Sequence, residues 1–157
     1  MQWQEVCEHP SLQDLPFKIE LNEKGQILMS PVKVYHSAFQ GRITQLLPTH
    51  GVVLAECAIK TAKGTKVADI AWCSEQRFKQ IERDTECSIA PEVCIEVLSF
   101  SNTSSEIEEK NTLYLEAGAL EFWVCQENGN MSFFDSSGWL KVSGLIPSFP
   151  KTVKIVG

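Results

Sequence analysis

The sequence predicts an α/β fold, a mixed β-sheet with helices packed against it. Short β-rich runs recur along the chain, and residues 92–125 read as a strand, a helix and a second strand. The other strands are linked by turns that suit antiparallel neighbours. A chain of 157 residues is long enough to bury a real core. It reads as one domain, residues 1–157, with a loose lead-in over residues 1–14.

Each element follows from local pattern. Phe17, Ile19 and Leu21 alternate with Lys18, Glu20 and Asn22, which predicts a strand. Glu23-Lys24-Gly25 turns it back into Gln26 to Met29, and Pro31 ends the hairpin. Tyr35, Phe39, Ile43, Leu46 and Leu47 recur at helical spacing over residues 34–47, and Pro48 stops that helix. Residues 51–55 and 67–72 are β-rich runs. Ser74 can cap a short helix over 75–82, and residues 83–90 read as a polar loop. Glu92 to Leu98 is nearly continuous in apolar residues, as expected for a strand covered on both faces. The polar run from Ser101 to Ser105 caps a helix over 106–117, and Gly118 ends it. Residues 120–125 form the next central strand. Asn128-Gly129 is a hairpin turn into Met131 to Phe134, and short strands are expected over 139–142 and 153–156.

Composition excludes several classes. No stretch of about 18 apolar residues exists, so no transmembrane helix is expected. The start of the chain lacks a basic end followed by an apolar stretch, so no signal peptide is read and the expected location is the cytoplasm. Six cysteines form no CxxC pair and no zinc-finger spacing, and are read as reduced, buried thiols. The net charge of −6 argues against tight binding to nucleic acid unless a local basic patch or bound cations offset it. Nothing fits a nucleophilic triad, a P-loop or a dinucleotide fingerprint.

Two acids carry the chemistry. Asp69 and Glu96 each sit inside an apolar strand, with no Lys or Arg in either run. A carboxylate taken out of water costs several kcal/mol or more, so it must be paired, neutralised or bound to a metal. Two such residues on two core strands suggest a shared cation, and oxygen donors favour Mg²⁺, Mn²⁺ or Ca²⁺ over zinc. The alternative, that either acid lies at a strand end in water, stays open. Lys110 follows Ile107 by three residues and precedes Tyr114 by four, so it shares their helix face. Its ammonium either snorkels to solvent or points to the carboxylate pair. His36 and Gln40 lie one turn apart on the first long helix and flank its apolar stripe, which makes them candidate accessory residues.

Five segments carry a resemblance: GQILMSP at 25–31, VADIAW at 67–72, IEVLSFS at 95–101, EKNTLYLE at 109–116 and EFWV at 121–124. In this order and spacing the chain, from about Phe17 onward, resembles the Uma-type family of putative restriction endonucleases, within the PD-(D/E)xK nuclease superfamily. The resemblance implies a restriction-endonuclease-like fold, a mixed β-sheet flanked by helices, with metal-bound acids on adjacent strands. It places the Asp of the PD motif on Asp69 and the first acid of the (D/E)xK motif on Glu96. Ala68 stands for the motif proline and Leu98 for the motif lysine. Family members that lack this lysine keep one on the following helix, as Lys110 does. The acid that the superfamily often carries on its first helix is absent, and His36 and Gln40 stand nearest to it. The expected function is Mg²⁺- or Mn²⁺-dependent hydrolysis of DNA phosphodiester bonds, with Asp69, Glu96 and Lys110 catalytic. The expected partner is DNA and not a membrane, with homodimerisation left open. The alternatives are a non-enzymatic binding or structural member of the fold and a small phosphate-ester hydrolase.

Overall fold

The computed structural model describes residues 1–157. Its centre is a six-stranded sheet in the order β3-β4-β5-β6-β7-β8, and β1 and β2 form a separate two-stranded hairpin. In chain order the elements are α1 (Trp3–Glu8), a 3-10 turn (Pro10–Leu12), β1 (Phe17–Leu21), β2 (Ile27–Pro31), α2 (Val34–Leu46), β3 (Val52–Thr61), β4 (Gly64–Cys73), α3 (Glu75–Ile81), β5 (Val93–Val97), α4 (Ser104–Glu116), β6 (Glu121–Cys125), β7 (Met131–Asp135) and β8 (Gly138–Leu140).

The β5–α4–β6 unit makes the sheet mixed. β5 and β6 pair in parallel, while every other neighbouring pair in the sheet is antiparallel. A parallel pair needs a crossover, and α4 supplies it. The helix starts because Thr103 Oγ1 accepts from the Glu106 amide at 3.2 Å. It stops because Gly118 follows with φ +115°, which a residue with a Cβ rarely adopts. β5 and β6 are buried along their whole lengths, as their apolar runs require.

Two apolar layers cover the sheet. Phe39, Ile43 and Leu47 of the α2 region pack with Ile70, Ile95 and Trp123 on one face. Tyr114 of α4 packs with Ala71, Cys94 and Phe122 on the other. Tyr35 and Leu46, expected in the α2 stripe, stay exposed.

The structure corrects three expectations. The β3–β4 hairpin is longer than the two short runs read from sequence, because polar residues such as Glu56 and Lys60 interrupt the apolar pattern of β3. Residues 153–156 form no strand: near Pro150 the backbone makes two bonds, Met131 N to Lys151 O and Val153 N to Gly129 O, and then leaves the sheet. The lead-in over residues 1–14 is structured rather than loose. Val6 is buried, the Trp3 indole donates to Thr85 O at 3.1 Å, and the N-terminal amine donates to Gly25 O at 3.1 Å.

All six cysteines are free thiols. Cys57 and Cys87 are hydrogen-bonded at 3.4 Å between sulfurs in the α4-side core.

Candidate functional site

The site forms where the sheet opens. β4 and β5 pair through Trp72↔Val93, Ala71↔Cys94 and Ile70↔Ile95, and the ladder stops there. One more step would set Asp69 opposite Glu96. The Asp69 side chain replaces that rung, its Oδ2 accepting from the Val97 amide at 2.8 Å. The other edge of β4 is broken at the same residue. Ala55↔Ile70 and Cys57↔Ala68 pair, but Glu56 and Asp69 between them do not. Glu56 has φ +52°, a backbone conformation that costs a non-glycine residue on the order of 1 kcal/mol. Side-chain alternation slips on both strands here, since Leu54 and Cys57, like Ala68 and Ala71, pack into the same layer. The Asp69 carbonyl accepts instead from the Gln40 side chain at 2.9 Å.

The expected residues converge on this opening. His36 Nε2 lies 3.3 Å from Asp69 Oδ2 and 3.1 Å from the Val97 carbonyl. The Lys110 ammonium lies 3.2 Å from Glu96 Oε1, inside the site rather than in bulk solvent. His36 and Gln40 both act on Asp69, one on its carboxylate and one on its backbone.

Three further residues escaped the sequence reading. Lys18 Nζ bridges the two acids, 3.0 Å from Asp69 Oδ1 and 3.4 Å from Glu96 Oε2. Glu20, on the same face of β1, accepts from Lys110 at 3.0 Å and from the Val67 amide at 2.7 Å. Tyr114 donates to Glu96 Oε1 at 2.8 Å. The result is an alternating chain of charge: Glu20, Lys110, Glu96, Lys18, Asp69 and His36.

Burial and pairing set the protonation states. Burial pushes the Glu96 carboxyl up to about 7, against the pull of Lys110 and Lys18, and the neighbouring Asp69 charge pushes the same way. Burial also opposes ionisation of Asp69, but the Lys18 ammonium and the hydrogen bond from His36 outweigh it and hold this carboxyl well below its usual range. Glu20 is likewise lowered: burial opposes ionisation, and Lys110 and Lys18 overcome it. Burial disfavours the Lys18 ammonium, yet Glu96, Asp69 and Glu20 keep it firmly protonated. The His36 imidazole is raised by its hydrogen bond to Asp69, with burial acting against this.

These groups line a cleft of about 540 Å³. Its walls carry seven carboxylates and five lysines, a formal balance of −2 that shrinks as Glu96 and His36 take up protons. The wall is therefore mixed and slightly acidic, not the basic groove expected of an unaided nucleic-acid binder.

The donor set suits one kind of metal. No three His, Cys, Asp or Glu side chains gather as metal ligands, so a fully protein-ligated ion is not what this site offers. Asp69 and Glu96 do turn oxygens toward one shared cation, in the structure the Lys18 ammonium. One or two carboxylates are what Mg²⁺ commonly takes from a protein, since it keeps waters and substrate oxygens for the rest. The pair fits Mg²⁺ or Mn²⁺ on that ground.

The fold has solved counterparts. The crystal structure of a putative nuclease belonging to DUF820 from Anabaena variabilis ATCC 29413 superposes with a TM-score of 0.70 at 20% identity, covering 98% of this chain and 94% of that one. At that identity the likeness shows the fold alone. No curated protein matches the sequence. The family described as Uma2, putative restriction endonuclease, matches residues 3–142, most of the chain including every element from α1 to β8, and the chain belongs to that family.

Proposed function

We propose that this protein is a divalent-cation-dependent endonuclease that hydrolyses DNA phosphodiester bonds. One observation carries the reading: at the opening between β4 and β5, Asp69 and Glu96 turn one oxygen each toward the same cation, beside a cleft. Family membership supports the substrate class.

Asp69 and Glu96 would hold Mg²⁺ or Mn²⁺, which supplies positive charge to a phosphate and lowers the pKa of a bound water. Asp69 is fixed for this by the Val97 amide, by His36 and, through its backbone, by Gln40. Tyr114 and Lys110 fix Glu96 through Oε1 and leave Oε2 toward the cleft side. The Lys110 ammonium can donate to an attacking water or to oxygens that gain charge as the phosphodiester bond breaks. The acidic wall repels a phosphate backbone, so affinity is low and depends on the cation to offset that repulsion.

A second reading is favoured by that same wall charge, by Leu98 at the motif lysine position and by His36 and Gln40 where an acid is common. In it the protein keeps the fold and the cation site but does not cut DNA. A nicking assay on supercoiled DNA with Mn²⁺ at low ionic strength separates the two. The nuclease reading expects cleavage that Asp69→Ala and Glu96→Ala abolish. Cation binding without cleavage of single- or double-stranded DNA supports the non-cleaving member.

A further inference from the structure

We propose that Lys18 is an internal counter-ion that a divalent cation must displace in order to bind, so that this one side chain sets the threshold for cation binding. The inference rests on the reading of Asp69 and Glu96 as a cation site.

The four carboxylate oxygens of Asp69 and Glu96 are shared out unequally. Asp69 Oδ2 is taken by the Val97 amide and approached by His36. Glu96 Oε1 is taken by Tyr114 and Lys110. These donors sit on β5, α2 and α4 and hold each carboxylate in a fixed orientation. The two remaining oxygens, Asp69 Oδ1 and Glu96 Oε2, are bridged by Lys18 at 3.0 and 3.4 Å. They are the oxygens a shared cation would use. Lys18 also lies 4.0 Å from Glu20 Oε2, so it sits among all three acids.

An ammonium and a dication cannot share that position, because like charges about 4 Å apart repel strongly in a partly buried site. One of them must leave. Lysine can, because its charge rides on a flexible four-carbon stem, and Lys18 lines the cleft into which it would swing. The side chain is 13% exposed, so part of it already meets solvent. Once displaced, the ammonium faces the cleft, where a phosphate would meet it.

The test is a calorimetric titration of Mn²⁺ into the wild-type chain, Lys18→Met and Lys18→Arg, with lysine acetylation of the wild type followed by mass spectrometry. Lys18→Met keeps the length and removes the charge, and should bind Mn²⁺ at least about tenfold more tightly. Lys18→Arg keeps the charge and should bind no more tightly than wild type. Acetylation of wild-type Lys18 should be slow in metal-free buffer and severalfold faster at saturating Mg²⁺. Should Lys18→Met fail to fold, the acetylation rate decides alone. Mn²⁺ binding of equal affinity in wild type and Lys18→Met, or a Lys18 acetylation rate indifferent to bound Mg²⁺, overturns the proposal and leaves the cation site standing. Absence of Mn²⁺ binding in both proteins removes the site and the proposal together.

Discussion

Glu121 and Glu96 pose the same problem to the fold and are handled in opposite ways. Each is a carboxylate in a fully buried five-residue strand, and the strands are parallel neighbours. Glu121 is enclosed by neutral donors at fixed positions: the Trp123 indole at 2.8 Å, the Ser143 hydroxyl at 2.6 Å, and the amides of Gly144 and Leu145 at 2.8 and 2.9 Å. It pins the loop after β8 to the sheet. Glu96 takes one neutral donor, the Tyr114 hydroxyl at 2.8 Å, and is otherwise met by two lysine ammoniums beside a cleft. Fixed dipoles make a carboxylate structural, whereas charged groups on flexible stems leave it able to exchange partners. The identity of the donors, not the burial of the acid, separates an anchor from a site.

The largest difference should appear in catalysis. Asp69→Ala and Glu96→Ala should each reduce Mn²⁺-dependent nicking of supercoiled DNA by about a thousandfold or more, the scale of losing a catalytic charge. A Glu121 variant that still folds should nick at close to the wild-type rate. Residual nicking above a tenth of wild type in Asp69→Ala would erase the distinction.

Stability should rank the same residues the other way. Glu121→Ala strands two buried donors, the Trp123 indole and the Ser143 hydroxyl, and two part-buried ones, the Gly144 and Leu145 amides, and each hydrogen bond to a charged group contributes about 1.5–3 kcal/mol. A loss of roughly 3 kcal/mol or more is expected in urea unfolding, allowing for relaxation. Gln40→Ala removes one side-chain bond to the Asp69 carbonyl and should cost about 1 kcal/mol.

The pH profile sharpens the contrast, because the charged site titrates. Glu96 is raised from 4.5 to about 7 in the fold, so its contribution is present at low pH and lost as pH rises through 7. His36 is raised from 6.5, so its contribution is also lost on the alkaline side. Asp69 and Glu20 are lowered, so theirs is present above about pH 4 and lost in acid. Unfolding free energy in metal-free buffer should therefore peak between about pH 4 and 5 and decline from there through pH 7. Glu96→Gln should flatten the alkaline decline, and a profile unchanged by it would remove Glu96 as the titrating group.

The sequence made part of this legible. Asp69 and Glu96 stood out because acids inside apolar strands need partners, and Lys110 because it shares a helix face with Ile107 and Tyr114. The same rule applies equally to Glu121, and only the loop at 143–145, distant in sequence, tells the anchor from the site. Lys18 and Glu20 were hidden by regularity. Their alternation with Phe17, Ile19 and Leu21 reads as a solvent-facing side, yet β1 packs beside β4 and turns that side into the site. The break at Glu56 was also out of reach, since no glycine or proline marks it.

The most direct measurement is a calorimetric titration of Mn²⁺ into four purified proteins at low ionic strength: wild type, Asp69→Ala, Glu96→Ala and Glu121→Gln. The account predicts binding to wild type and Glu121→Gln with similar affinity, and none to Asp69→Ala or Glu96→Ala. No binding to wild type, or binding that survives in both Asp69→Ala and Glu96→Ala, would contradict it.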